Sequence, residues 1–265
     1  MMEKIGVFLV SALLISSVSV SSEIKEPGFQ EKPAIQTNAP RIPRSPRISL
    51  RVAYGVDLLK ANKSISWSQV VYQENALYSV NYDVGKGQSF SAGMGYKFSD
   101  HLGIELGFDS ASRDLLAENR ASIPNPLYFN SPREADSAER RKIQESAFSL
   151  DLIYSIPFGK LGLDLYAGPT YFSTRAELTS AIAFTESAYP YDSVSISPQT
   201  EKLRKSVIGF NAGSSMNLYL SKNFAVFITA RYLWAKADFQ PSSGIPQLNL
   251  ALGGLRLGGG LKLVF

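Results

Sequence analysis

Oily and polar side chains alternate along eight stretches of this chain. Each stretch predicts a β-strand, because successive side chains on a strand point to opposite faces. The strands fall at about Ile48–Leu58, Gln88–Phe98, Leu102–Ser112, Ala147–Phe158, Leu161–Thr174, Ser206–Leu220, Phe224–Ala235 and Leu252–Phe265. The connections alternate too. Ser99-Asp100-His101, Gly159-Lys160 and Ser221-Lys222-Asn223 are tight and rich in turn formers. Leu59–Gly87, Arg113–Ser146, Arg175–Lys205 and Lys236–Ala251 are long and are expected to be loops.

The two faces differ sharply. One carries Leu50, Val52, Tyr54, Phe90, Met94, Leu106, Phe108, Leu150, Leu152, Leu163, Phe210, Ile228 and their like, and no charge on any strand. A charge facing lipid at mid-membrane costs about 2–4 kcal/mol, which accounts for that absence. The other face holds ten charges, five of each sign: Arg51, Asp57, Lys97, Glu105, Asp109, Asp151, Asp164, Arg231, Arg256 and Lys262. It is also rich in Gly and Ser, which leave room for long side chains inside a narrow barrel. Eleven residues at ~3.3 Å, tilted by ~40°, rise roughly 27 Å, close to the ~25 Å apolar band of membrane barrels. Aromatic residues collect near both ends of the oily face, with Phe98, Phe158, Phe224 and Phe265 at the turns and Phe90, Phe108, Phe148, Tyr232 and Trp234 toward the long connections. A soluble sandwich would bury the oily face instead, and would explain neither the alternating connection lengths nor the two aromatic rings.

The segment ahead of the strands fits an exported protein. Lys4 precedes an apolar run from Ile5 to Ile15 and a small-residue stretch from Ser16 to Ser22. This is the layout of a signal peptide, expected over residues 1–21. Residues 22–47, broken by Pro27, Pro33, Pro40, Pro43 and Pro46, read as a periplasmic tether, with the barrel occupying 48–265. Arg41, Arg44 and Arg47 keep that tether soluble or sit against anionic headgroups. No apolar run approaches the ~20 residues of a membrane helix. A hydrophobic fraction of 45% and a mean hydropathy of −0.04 would suggest a soluble chain, but alternation cancels in any window of a barrel sequence. There are no cysteines, hence no disulfide framework.

The chain thus resembles the small eight-stranded outer-membrane barrels typified by outer membrane proteins A and X. The resemblance spans roughly Ile48 to Phe265 and rests on architecture. It implies an all-β, antiparallel up-and-down transmembrane barrel with short periplasmic turns and long extracellular loops, in the outer membrane of a Gram-negative-type bacterium. Leu261, Leu263 and Phe265 resemble the terminal signal read by barrel-assembly machinery. That machinery and outer-membrane lipid are the expected partners, together with an extracellular ligand of the loops. The expected state is a monomer. With the barrel pattern running to Phe265, no wall-anchoring domain is expected beyond it.

Chemistry is sparse. A net charge of +4 without a basic, aromatic-laced run argues against nucleic acid. No phosphate loop, dinucleotide fingerprint, nucleophile elbow or metal-ligand cluster is present, so neither cofactor nor metal is expected and the protein is read as a non-enzyme. The one histidine, His101, falls in a turn on the wrong side for outer-leaflet chemistry. Asp109 and Asp151 could be drawn as a carboxylate pair, but the balanced charges around them favour structural ion pairs. Three functions are compatible with this pattern: a structural or surface-interaction barrel plugged by ion pairs, a narrow channel for small solutes or ions, and a lipid-modifying enzyme. The charged face favours the first, since an eight-stranded lumen is just wide enough to be filled by side chains. In the expected network Arg51, Lys97, Glu105, Asp164 and Lys262 form a lower layer, and Asp57, Asp109, Asp151, Arg231 and Arg256 an upper one. In the loops, Asp136 to Ile143 is compatible with a short capped helix. Trp67, Tyr72, Tyr78, Phe184, Tyr189 and Tyr191 are candidates for adhesion or for packing within hairpins.

Overall fold

The structure is a computed structural model that describes residues 48–241 and 244–265. The expected signal peptide and tether lie outside the described residues. Among the described residues nine strands form one antiparallel sheet: β1 (Ile48–Asp57), β2 (Ala61–Val71), β3 (Glu74–Lys97), β4 (Leu102–Ile123), β5 (Arg133–Phe158), β6 (Leu161–Glu186), β7 (Val194–Tyr219), β8 (Phe224–Phe239) and β9 (Leu248–Val264). β1 pairs with β9 on one side and with the lower part of β3 on the other, so the sheet closes into a ring. The ring has eight staves. β2 resumes the course of β1 after a break at Leu58–Lys60 and pairs only with the upper part of β3.

Within the expected spans the outward face is oily and open. Leu50, Val52, Phe90, Met94, Leu106, Phe148, Leu150, Leu152, Phe210, Ile228 and Trp234 are all exposed, as a lipid-facing surface requires. The Phe108 and Phe148 rings meet at 5.0 Å in the upper aromatic row. Leu261, Leu263 and Phe265 face outward on β9 and its end, beside the pairing partner β1.

The long connections are not loops. β4 to β7 run to 22, 26, 26 and 26 residues, and short tips at 72–73, 124–132 and 187–193 join β2 to β7 at this end. Twenty-six residues at ~3.3 Å make ~86 Å of strand, over twice the ~35 Å needed to cross a ~25 Å band at ~45° tilt. The expected helix at Asp136–Ile143 is part of β5, where Ser137 faces Asn119 and Lys142 faces Asp114 across the ladder. The Asp136–Arg140 spacing that suits a helix also places both on the outer face of a strand, and pairing with β4 decides between them.

Two physical facts hide these extensions from a period-two reading. First, bulges shift the register between Val84 and Gly87 on β3 and between Thr179 and Ala181 on β6. Above the first, the inward residues of β3 change from odd to even; across the second, those of β7 change from odd (Val207, Leu203) to even (Ile196, Val194). Second, polarity inverts above the lipid belt. On β5 the outward series passes from Tyr154, Leu152, Leu150 and Phe148 to Gln144, Lys142, Arg140 and Asp136. The inward series does the opposite. The ion-bearing positions Asp151 and Glu145 give way to Ile143, and a buried apolar core of Val84, Leu115, Phe172, Leu178, Leu233, Leu248, Leu250 and Phe239 fills the interior. Where water replaces lipid outside, the sheet buries oil inside, as any soluble sheet does.

The upper region divides into hairpin groups. The β5–β6 ladder ends at Ile143↔Ala176 and the β7–β8 ladder at Phe210↔Trp234. β2 to β5 continue together, β6–β7 continue as a pair, and so do β8–β9. Ile182, Phe184, Val194 and Ile196 of β6–β7 pack onto Tyr78, Ala121 and Ile123 of the larger group. Trp67 stacks on Tyr78 at 5.5 Å. Trp67, Tyr78 and Phe184 therefore pack within the hairpins, whereas Tyr189 stands exposed at a tip.

Candidate functional site

Among the described residues, charged side chains converge most densely in the barrel interior at the level of the lipid belt. Alternation puts odd residues of β1, β4, β5, β7 and β8 and even residues of β6 and β9 inside. Gly93 and Gly107 make the room: a Cβ at Gly93 would lie 2.9 Å from both Arg51 Nε and Glu105 Oε1, and one at Gly107 would lie 2.5 Å from Ser149 Oγ.

Nearest the turns, Lys262 Nζ donates to Asp164 Oδ2 at 2.6 Å, and Asp164 also accepts from Ser155 and Asn217. Lys97 stands at this rim, half-buried and without an ion pair among the described residues. One step up, Arg51 pairs with Glu105. The Tyr166 ring lies between two cations, 4.8 Å from Arg51 Cζ and 5.3 Å from Arg231 Cζ, and so links this level to the next.

Arg231 is the hub of the middle level. It donates to Asp109 and Asp151, both at 2.7 Å, and to Ser149 Oγ and Asn211 Oδ1. Above it a four-membered cluster spans the lumen. Asp57 Oδ2 accepts from Arg113 at 2.8 Å and from Arg256 at 3.0 Å, while Glu145 accepts from both of the same arginines. Gly253 joins the cluster through its backbone. Its left-handed conformation, φ +86°, is one that glycine adopts at little cost. That turn aims its carbonyl at Arg113 Nη2 (2.6 Å) and its N–H at Glu145 Oε2 (3.1 Å).

Arg51 and Lys262 face each other across the β1–β9 ladder, and so do Asp57 and Arg256. Each of these four finds its partner elsewhere or across that seam as described. Arg113 and Glu145 were missed, because both fall just inside stretches read as loops. They are one cation and one anion, so the balance of charge is unchanged. Carrying the alternation one inward position beyond Ala111 on β4, and one before Ala147 on β5, reaches both. The remaining space beside Arg51, Asp109, Arg231 and Arg256 is about 20 Å³, enough for a single water.

A second polar knot lies high in the upper region. Arg141 donates to Thr179 Oγ1 at 2.9 Å, Thr179 Oγ1 donates to Asn119 Oδ1 at 3.0 Å, and the Tyr82 hydroxyl accepts from Thr179 N. At the tips a clasp ties three hairpins. Arg133 pairs with Glu186 and donates to the carbonyls of Pro124 and Tyr191, and the Tyr72 hydroxyl donates to Glu186 at 2.6 Å. Tyr72, Gln73, Asn130 and Tyr191 all hold left-handed backbone there, a conformation that bulky residues rarely adopt. Desolvation of the Glu186 carboxyl raises its pKa, but the hydrogen bonds from Tyr72 and Arg133 and the Arg133 charge outweigh that and hold it below the ordinary carboxylate range. A depressed carboxylate stabilises the fold above its unfolded pKa of ~4.3 and loses that contribution as the pH falls through the folded value. Protection of the amides at 187–193, relative to the intrinsic exchange rate at each pH, is therefore expected to be high at neutral pH and to be lost as the pH falls below the ordinary carboxylate range. Glu186→Gln is expected to show low protection at both, and an unchanged pH profile of protection in that variant would show that the clasp is not the cause.

His101 Nδ1 lies 3.0 Å from Ser155 O at the turn end, away from the lumen charges. Asp109 and Asp151 share Arg231, one at each terminal nitrogen of its guanidinium. Among the described residues no group of three His, Cys, Asp or Glu side chains is placed to hold a metal.

An all-β ring with an oily exterior belt and a charged interior defines a transmembrane β-barrel. No family model matches the sequence, and no curated protein does. Solved structures do match. The outer membrane protein OprG from Pseudomonas aeruginosa aligns with a TM-score of 0.51 at 11% identity, covering 84% of this chain and 97% of that one. The outer membrane protease OmpT from Escherichia coli gives a TM-score of 0.40 at 9% identity, over 83% of this chain and 97% of that one. The N-terminal β-barrel domain of Pseudomonas aeruginosa OprF gives 0.39 at 12%, over 84% and 100%. The fold is that of the small outer-membrane β-barrels.

Proposed function

We propose that this chain is an integral outer-membrane protein that does not conduct, and that carries a rigid, surface-exposed β-structure on a plugged transmembrane base. The observation that supports this most directly is the Asp57–Arg113–Glu145–Arg256 cluster across the lumen, roofed by the apolar core around Leu115 and Leu178. An ion would have to break buried pairs and then enter oil. The hairpin end is the extracellular one on this reading, because short turns face the periplasm in such barrels. Its tips present Leu127, Tyr128, Phe129, Tyr189 and Val70 to solvent, next to the clasp that fixes them. Large exposed side chains on a preorganised frame suit a surface-interaction role.

Planar-bilayer recording on refolded protein is the test. No steady single-channel current is expected at moderate voltage. A stable open conductance in the native protein would overturn the plugged reading in favour of a narrow channel.

A further inference from the structure

Two arginines stand directly opposite each other on the outer surface, just above the lipid belt. Arg175 on β6 and Arg204 on β7 are register partners, and both are exposed. Like charges opposed across a ladder are destabilising. Neither has an ion pair among the described residues, and the one hydrogen bond here runs from Arg204 Nε to Ser173 Oγ at 3.2 Å. The nearest carboxylate on these strands, Glu177, faces Lys202 and accepts from Thr200. On β5, Gln144 is opposite Arg175, and Lys142 already faces Asp114. On the far side, the β7–β8 ladder has ended at Phe210↔Trp234, so β7 is an open edge at Arg204.

The position matters as much as the charge. Tyr171 and Ile208, the last lipid-facing residues on these strands, are themselves cross-strand partners. Four more residues of strand make ~13 Å, or roughly 10 Å of rise at ~40° tilt. Headgroups occupy about 5–8 Å beyond the hydrocarbon on each side, and long arginine side chains reach down toward them.

We propose that Arg175 and Arg204 together bind the phosphate of an anionic lipid headgroup in the leaflet at the hairpin end. The acyl chains then run along Tyr171, Ile208 and Phe210, beside Trp234. This rests on the membrane reading above and adds a lipid site to it. The anion relieves the repulsion between the two guanidinium groups, which explains why the pair is tolerated.

The test uses Trp234 as reporter in a Trp67→Phe background, since the chain has only these two tryptophans. The full chain is refolded into vesicles holding either brominated phosphatidylglycerol or brominated phosphatidylcholine, and quenching of Trp234 is compared. Each arginine meeting an anionic headgroup is expected to contribute about fivefold in preference, so the anionic lipid should be clearly enriched. R175Q/R204Q should quench equally with both lipids. The same double variant should be more stable than the parent in zwitterionic vesicles and less stable in anionic ones. Equal quenching in the parent overturns the proposal, as does a preference that survives the double substitution. If inorganic phosphate stabilises the parent in zwitterionic vesicles while lipid preference is absent, the occupant is a free anion and the lipid site fails. Failure of the parent to insert into either vesicle would overturn the membrane reading and this site with it.

Discussion

Arg256→Ala is expected to lower the stability of the folded barrel by about 3–5 kcal/mol, the usual cost of removing one partner from a buried ion pair. The guanidinium joins Asp57 and Glu145, which are essentially without solvent exposure, and stands 3.8 Å from Asp109. Its loss leaves two buried carboxylates with Arg113 as their shared cation, and opens space beside the existing water-sized cavity. Urea unfolding from vesicles, followed by tryptophan fluorescence, measures the first effect. Planar-bilayer recording measures the second, as the appearance of small fluctuating currents absent from the parent. A variant as stable and as silent as the parent would mean that the lumen charges are hydrated linings and not a plug. Arg231→Ala should behave alike, since four acceptors converge on that side chain.

Phe172→Ala is expected to cost a similar ~3–5 kcal/mol through a different mechanism. Phe172 is fully buried in the apolar cluster that adjoins the ionic layers, at the β6 position that faces Ala147 and Val207 across its two ladders. Truncation leaves a cavity that the rigid ring of strands cannot collapse to fill. The apolar cluster it joins runs on through Leu115 and Leu178 beyond the lipid belt, so amide protection should fall first in 174–186 and the neighbouring upper strands. Uniform loss of protection through the whole barrel would instead show that the two halves unfold as one unit.

The lipid belt was legible because bilayer and lumen impose opposite demands on alternate residues of every stave. Leu50 and Arg51, Leu150 and Asp151, and Leu261 and Lys262 are neighbours in sequence with opposite environments. The ten charges were legible for the same reason. Arg113 and Glu145 were not, because each marks the place where its strand leaves the membrane. From there outward the oily face turns inward and the polar face turns out. Alternation continues, but its meaning is reversed and no longer marks a lipid-facing strand. The bulges at Val84–Gly87 and Thr179–Ala181 shift the phase as well.

Local sequence therefore determined that this chain makes antiparallel strands, where three of the turns fall, and which face of each membrane stave meets lipid. These follow from turn chemistry and a period of two. The tertiary structure alone decided which cation meets which anion, since Arg231 reaches Asp109 and Asp151 across 122 and 80 residues of chain. It also decided that the long connections are tall paired strands and not loops. Pairing partners are set by closure of the ring and by the stagger between staves, and neither is written into any single segment.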